Sequence, residues 1–239
     1  MHVKKYLSQP ALKRAYTLRL FTVVAPRYWA ATRGLSLCRD RAWKKHLLRL
    51  LPSVENGDAV LDLACGTGDI TVSLAGKYPA AQIVGSDLSR SMARIAVRKT
   101  RGRDVALTIQ DMAAMAVKDN SFSIVTGGYA LRNAPEVDAV IRETARILKP
   151  GGRAAFLDFS KSPRPMVAAF QCAALVLWGS LWGAILHARP SVYAYLGHSL
   201  AAYPDRRRLH ALFEESGLSV AASLMKMLGM IEIVIVQKK

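Results

Sequence analysis

Residues 62–69 read DLACGTGD, and this stretch limits what the rest of the chain can be. An apolar run, Ala59 to Leu61, leads into an acidic residue, a GxG turn and then a helical run from Ile70 to Leu74. A strand that ends on a glycine turn and opens a helix gathers free backbone N–H groups at one edge of a sheet, the usual seat of a nucleoside cofactor. Two features choose among such cofactors. The third glycine of a dinucleotide fingerprint is missing, because Thr71 stands three residues after Gly68. The turn is also flanked by two carboxylates, Asp62 and Asp69, which repel a pyrophosphate. S-adenosylmethionine carries a sulfonium and an ammonium and no phosphate, so the same charges attract it. A second short apolar strand, Ala81 to Gly85, leads to Asp87 about 20 residues beyond the glycines, where a carboxylate accepts hydrogen bonds from ribose hydroxyls. The competing reading makes Asp87 the cap of the helix that begins SRSMARIAV.

A chain of 239 residues with 51% apolar side chains suits one α/β domain with insertions, and it shows no repeat or low-complexity tract. Cys38, Cys65 and Cys172 are odd in number and unrelated in spacing, which argues against a disulfide framework or a zinc site and for a reducing compartment. No metal-ligand cluster is indicated. Lys and Arg total 34 against 17 acids, a net charge of +17. The excess is uneven: no acid precedes Asp40, while Lys4, Lys5, Lys13, Arg14, Arg19, Arg27, Arg33 and Arg39 do. With Tyr6, Leu7, Tyr16, Leu18, Leu20 and Phe21 interleaved, this basic arm suits an anionic membrane surface, a plainly solvated helix or, least well, nucleic acid. No cleavable signal is apparent. The expected location is cytoplasmic and peripheral to the inner membrane, with a mitochondrial matrix address left open by the acid-poor start.

Strand signals recur at Ala59–Leu63, Ala81–Ser86, Val105–Gln110, Phe122–Gly127 and Arg153–Phe159, with helices between them. The helix Pro135–Leu148 is expected to stop at Lys149-Pro150-Gly151-Gly152. Together they predict an α/β fold, a Rossmann-like, doubly wound and mostly parallel sheet. An antiparallel C-terminal hairpin, Leu218–Leu224 with Met230–Val236, closes it at the sheet edge. Residues 1–50 form a basic helical arm, and residues 51–239 the catalytic domain with a helical insertion at about 160–203. Within the insertion, Met166 to Leu186 holds no charge. It is long enough to span a bilayer, yet Gln171, Gly179, Ser180 and Gly183 lower its hydrophobicity. The strands on either side must also return to one domain, so a buried helix or a lid over an apolar ligand or membrane is expected instead.

YALRNAPE (Tyr129–Glu136), RILKPGGRAAFLDFSKSP (Arg146–Pro163), YAYLGHSL (Tyr193–Leu200) with Tyr203-Pro204-Asp205, and RDRAWKK (Arg39–Lys45) complete the motif set. In these the chain resembles the ubiquinone and menaquinone biosynthesis C-methyltransferases over nearly its whole length after Phe21. The resemblance implies that Asp62 and Thr67 line the methionine end of S-adenosylmethionine, between Gly66 and Gly68, and that Asp87 with Leu88 holds the ribose. Asp111 and the Met112 backbone then meet the adenine, and Gly128 offers only backbone where the family has a small polar residue.

The resemblance also implies methylation of a ring carbon ortho to a phenol in a prenylated benzoquinol or naphthoquinol. Removing the phenolic proton pushes electron density onto that carbon. Arg132 and Asn133, just past the fourth strand, are candidates to hold the phenolate, or else they cap the helix starting near Pro135. Tyr195 and His198 are further catalytic candidates, and Tyr28, Ser36 and Trp43 match the family's N-terminal lid. A lipophilic quinol-like substrate, membrane contact, and a homodimer or quinone-biosynthesis complex are the implied partners. Nucleic acid is disfavoured, since GGYALRN replaces the NPPY-type tetrapeptide of amino-directed nucleic-acid enzymes. The chain departs from the family at Trp29, Thr32, Cys38, Asp40, His198 and Ala201. If these surround the substrate, another lipid-like acceptor becomes the alternative, such as the amine headgroup of phosphatidylethanolamine.

Overall fold

The computed structural model describes residues 6, 7 and 9–239; Lys4 and Lys5 of the basic arm lie outside the described residues. Helices α1 (Pro10–Val24), α2 (Tyr28–Leu35) and α3 (Asp40–Leu50) precede the sheet. There follow β1 (Ala59–Leu63), α4 (Asp69–Lys77), β2 (Gln82–Ser86), α5 (Arg90–Lys99), β3 (Val105–Thr108), β4 (Phe122–Gly128), α6 (Val137–Ile147) and β5 (Leu148–Phe159). The insertion supplies α7 (Pro165–His187) and α8 (Ser191–Ala202). The chain then closes with α9 (Arg206–Glu215), β6 (Leu218–Lys226) and β7 (Ile231–Lys238).

The seven strands pair in the order β3-β2-β1-β4-β5-β7-β6. The first five are parallel, and β7 runs antiparallel between β5 and β6. This is the expected doubly wound sheet with its edge hairpin. Alternation along each strand divides the apolar side chains between two layers. Val60, Ile124, Leu157 and Ile233 pack on Trp43 and Leu47 of α3 and on Ile70 and Leu74 of α4. Leu61, Val125, Phe156 and Val234 pack on Val140 and Ile141 of α6 and on Leu209 and Phe213 of α9.

Lys149 to Gly152 do not make the clean stop that their composition predicts. Leu148 already pairs with Phe122, the register then shifts, and pairing resumes at Arg153 with Ile124. Pro150 has no N–H to give the ladder and Gly151 sits at φ +74°, so the segment bulges out of a strand that has already begun.

Helix α7 is 23 residues long with a mean hydropathy of 1.6 over its most apolar 18 residues, enough by length and composition to cross a membrane. It instead lies against α8. Gln171, Leu175, Gly179 and Gly183, spaced by four, form its buried stripe. Met166, Phe170, Leu177, Leu181 and Ile185 form an outer stripe open to solvent. The buried-helix expectation therefore fails on one face. Where α8 meets α7, Gly197 has no room for a side chain: a Cβ there would sit 2.4 Å from the Cys172 carbonyl oxygen and 2.5 Å from a Val176 methyl.

That contact sets a stability test. Gly197→Val must push α8 off α7 and is expected to cost about 1–3 kcal/mol, read as a lower Tm by calorimetry. Gly76→Ala, in helix α4 where a Cβ meets nothing within 4 Å, is expected to gain about 0.5–1 kcal/mol. Equal Tm shifts for the two would show that the α7–α8 contact is not tight.

Candidate active site

Strands β1, β2 and β4 end side by side, and the chain turns sharply after each. Gly68 caps α4 at φ +80°, and a Cβ there would press Ala96 of α5 at 3.2 Å, so the turn and the helix contact both require glycine. Two non-glycine residues at these strand ends, Ala64 (φ +51°) and Tyr129 (φ +58°), also hold the left-handed conformation, a local strain that clusters at functional sites.

Three adjoining recesses open here. A small polar notch is lined by Lys44, Asp62, Thr67 and Asp69. Beside it a cavity of about 90 Å³ is lined by Gly66, Asp87, Leu88, Asp111 and Met112, with Arg14 and Phe21 of α1 closing it. A third, also about 90 Å³, is an apolar chamber under α1, α2 and α8 that includes Leu20, Val24, Leu35 and Leu175. Its polar groups are Arg132, Asn133 and tyrosines, with Thr32 and Ser36 on α2's side. Tyr28 and Tyr129 line all three recesses, and Gly128 lines the first two.

The first two recesses fit S-adenosylmethionine by their donor sets. The notch presents both signs of charge, as the ammonium and carboxylate of an amino acid require. Asp62 is 1% exposed, and its oxygens accept from the Thr71 hydroxyl at 2.6 Å and the Thr126 hydroxyl at 3.0 Å. Burial pushes its carboxyl up to about 6, against those hydroxyls and Lys44. Asp69 behaves differently from expectation. Lys44 at 3.1 Å and the Lys99 ammonium hold it, and they outweigh its burial to keep its carboxyl below the ordinary range. Its charge is therefore largely spent on those two lysines, and Asp62 carries the negative charge of the turn.

In the second recess Asp87 accepts the Gly66 N–H at 2.8 Å and the Ser89 N–H at 2.7 Å. The cap of α5 is the Ser89 hydroxyl, which excludes the capping role for Asp87. Asp111 accepts the Ala113 N–H at 3.0 Å and pairs with Arg14 at 3.0 Å across the mouth. Gly128 leaves space that a Cβ would fill against Ile70 at 2.7 Å. Gly68 touches none of the recesses; its part is the turn itself.

The catalytic candidates separate. Arg132 is 3% exposed and lines the chamber, but its guanidinium already faces Asp158, with Nε 3.7 Å from Oδ1, and it donates to the Ser199 hydroxyl. Its ring neighbours are Phe159 and Tyr195, at 4.9 and 5.7 Å. Asn133 donates to the Tyr129 carbonyl at 2.7 Å and accepts from the Tyr195 hydroxyl at 3.2 Å. Helix α6 is capped from Glu136 without any side-chain bond, so Arg132 and Asn133 do not serve as its cap. Tyr195 is buried on the chamber wall. His198, three residues on, faces away from all three recesses.

The departures from the family do not surround the chamber as expected. Of the six, only Thr32 lines it. Trp29 and Cys38 are on the outer surface, and Ala201 is exposed with its carbonyl accepting from Lys161 at 3.0 Å. Asp40 lies behind the wall, accepting the Tyr129 hydroxyl at 2.9 Å and pairing with Lys44 at 2.8 Å.

Asp158, Lys44 and Tyr129 were not among the predicted site residues. An acid within the buried strand run AAFLDF demands a partner, and Asp40 and Lys44 stand at the i, i+4 spacing of a helical ion pair; both signals were present. Tyr129 had none, because its role comes from a backbone turn.

The chain is 35% identical over 203 residues to the demethylmenaquinone methyltransferase of Lactobacillus johnsonii, covering 83% of this chain and 82% of that protein. It is 32% identical over 223 residues to the 2-phytyl-1,4-naphtoquinone methyltransferase of Synechococcus elongatus, covering 91% and 95%. Among solved structures, a SAM-dependent methyltransferase of Thermotoga maritima superposes with a TM-score of 0.67 at 17% identity, over 93% of this chain and all of that one. The model of the ubiE/COQ5 methyltransferase family matches residues 10–238, so the chain belongs to that family and is an S-adenosylmethionine-dependent methyltransferase.

Proposed function

We propose that this enzyme methylates a ring carbon of a prenylated quinol, and that it does so at a membrane surface. The observation that carries the first part is the chamber: its lining is mostly apolar, with Tyr129 and Asn133 where it adjoins the cofactor recess and Arg132 beside them. A phenol with an isoprenoid tail has that same division. Both relatives named above act, by their names, on naphthoquinone-type rings. Among the described residues no carboxylate lines the chamber, which disfavours a cationic headgroup. S-adenosylmethionine supplies an electrophilic methyl group. Arg132 sits where a phenolate oxygen would be stabilised, in surroundings poor in water where a fixed cation counts for most.

Support for the membrane is a continuous apolar surface. Leu177, Leu181 and Ile185 of α7 stand 49–73% exposed, and Trp178 and Trp182 share a groove with Trp29 of α2 and Leu37 just beyond it. Arg33 lies 4.8 Å over the Trp29 ring, and Arg27 reaches the carbonyl of Leu186. Aromatic and apolar side chains flanked by arginine suit an interface between anionic headgroups and acyl chains. Lys13 and Arg14 do not share in it: Lys13 is buried, and Arg14 is held by Asp111. The basic arm thus contributes less to a membrane contact than its composition suggests.

The acceptor is tested with purified enzyme, ¹³C-methyl-labelled cofactor and vesicles containing demethylated benzoquinol, naphthoquinol or phosphatidylethanolamine. Label on a ring carbon is expected; label in a choline-type headgroup, with none in a quinol, overturns the reading. Arg132→Gln alone strands Asp158 and is expected to cost about 3–5 kcal/mol of stability. The double variant Arg132→Gln, Asp158→Asn removes both charges. It is expected to recover most of that Tm loss while kcat stays about 10²–10³-fold down, and wild-type turnover in it would remove Arg132 from the chemistry.

For the membrane, Leu181→Glu is expected to lower partition onto phosphatidylglycerol vesicles about tenfold or more in co-sedimentation, since burying a leucine is worth about 1.5–3 kcal/mol. Undiminished binding by the variant would show that α7 does not face lipid.

A further inference from the structure

An apolar chamber raises the question of where the acceptor's phenolic proton goes. Arg132 has no lone pair with which to take it. His198 faces elsewhere. Tyr129 is better placed: it lines the chamber, the cofactor recess and the polar notch together, and it is held there by its strained backbone and by its N–H on the Leu157 carbonyl at 2.7 Å. Its hydroxyl donates to Oδ1 of Asp40 at 2.9 Å. The other carboxylate oxygen of Asp40 meets Lys44 at 2.8 Å, and Lys44 meets Asp69 at 3.1 Å. The Asp69 side chain is 36% exposed, so an unbroken line of polar contacts runs from the chamber to solvent.

We propose that Tyr129 and Asp40 form the base of this enzyme, Tyr129 taking the acceptor's phenolic proton as it passes its own to Asp40. This rests on the phenolic acceptor proposed above. The O–H bond of the phenol breaks and its electron pair moves into the ring. The ortho carbon then forms its bond to the methyl group, while the S–CH₃ bond breaks with its pair left on sulfur. The ring C–H proton is lost to water, and the phenol oxygen is reprotonated along the same line from Asp40. One proton is released for each cationic sulfonium consumed, so charge balances.

The surroundings suit a conduit. Burial, with Asp40 beside it, pushes the Tyr129 hydroxyl well above its ordinary range, so Tyr129 relays a proton without resting as a phenolate. Burial would lower the Lys44 ammonium, but Asp40, Tyr28 and Asp69 outweigh it and hold it charged. The groups facing Asp40 are therefore Lys44 on its own helix, Tyr129 just after β4 and Tyr28 from α2, with Asp69 reached through Lys44 and Asp87 acting on Tyr28. A carboxylate and an imidazole both accept a proton from a tyrosine.

The test compares Tyr129→Phe, Asp40→Asn and Asp40→His on whichever quinol the wild-type enzyme methylates. The first two are expected to lower kcat by about 10²–10³-fold, as loss of a general base does, while calorimetry still detects cofactor binding and Tm confirms folding. Asp40→His is expected to stay active, with the acid limb of its kcat–pH profile moved to near the ordinary histidine value of about 6.5. Near-wild-type kcat in Tyr129→Phe, or an unmoved acid limb in Asp40→His, overturns the dyad. A wild-type enzyme that methylates no quinol overturns instead the acceptor on which the dyad rests.

Discussion

Lys44 joins parts of the molecule that lie far apart in sequence. Its ammonium bridges Asp40, on the helix that leads into the sheet, and Asp69, the first residue of the helix after the glycine turn. Through Asp40 it reaches Tyr129 at the end of β4. Taking a lysine out of water is unfavourable unless opposite charges meet it, and here two carboxylates do. Without Lys44, Asp40 would be left buried with a tyrosine as its remaining partner, and Asp69 would keep Lys99 alone. The position of the N-terminal helices over the cofactor recess thus depends on charge satisfied between elements far apart in sequence. Apolar packing alone would tolerate sliding; an ammonium between two carboxylates does not.

A second buried pair does for the substrate chamber what Lys44 does for the notch. Asp158 is placed by the sheet, accepting the N–H groups of Arg132 at 3.0 Å and Phe159 at 2.7 Å, and it turns the guanidinium toward the chamber wall. The arginine keeps its charge, but its field at the chamber is reduced by the carboxylate behind it. A neutral quinol can therefore enter without meeting an uncompensated cation, and stabilisation grows only as negative charge develops on its oxygen. Interactions that strengthen toward the transition state accelerate the reaction; those equally strong in the ground state do not.

Local patterns recovered the sheet because the first four parallel strands are short, apolar and bounded by turn residues, and the glycine turn fixed where the first recess lies. Asp62, Gly66, Thr67, Asp87, Leu88, Asp111, Met112 and Gly128, the residues expected to meet the cofactor, all line the first two recesses, since they follow strands whose ends the sequence marks. Charge was harder to read. Asp69 reads as free in sequence, yet Lys99 lies 30 residues away along the chain and across a helix pair. Arg132 reads as an unpaired cation for the same reason, with Asp158 26 residues distant on the neighbouring strand. His198 and Tyr195 share a motif, but three residues along α8 turn one into the chamber and the other out of it. Periodicity places residues three apart on one side of a helix; it does not say where the wall of a chamber ends on that side.

The outer face of α7 follows a different logic from the core. A helix that packs on one neighbour normally keeps polar residues toward water, and α7 does not. Its buried stripe is made of Gln171, Gly179 and Gly183 beside a single leucine, small or polar residues chosen for close approach, while the larger apolar side chains point outward. Stability of the α7–α8 pair therefore comes from backbone proximity rather than from apolar area, and most of the helix's hydrophobic surface is left unused by folding. Leu175, on the inner stripe, lines the chamber, so the same helix borders the chamber on one side and carries the exposed apolar surface on the other. A lipophilic acceptor leaving a bilayer would then need to pass only around one helix, never through bulk water, to reach the methyl donor.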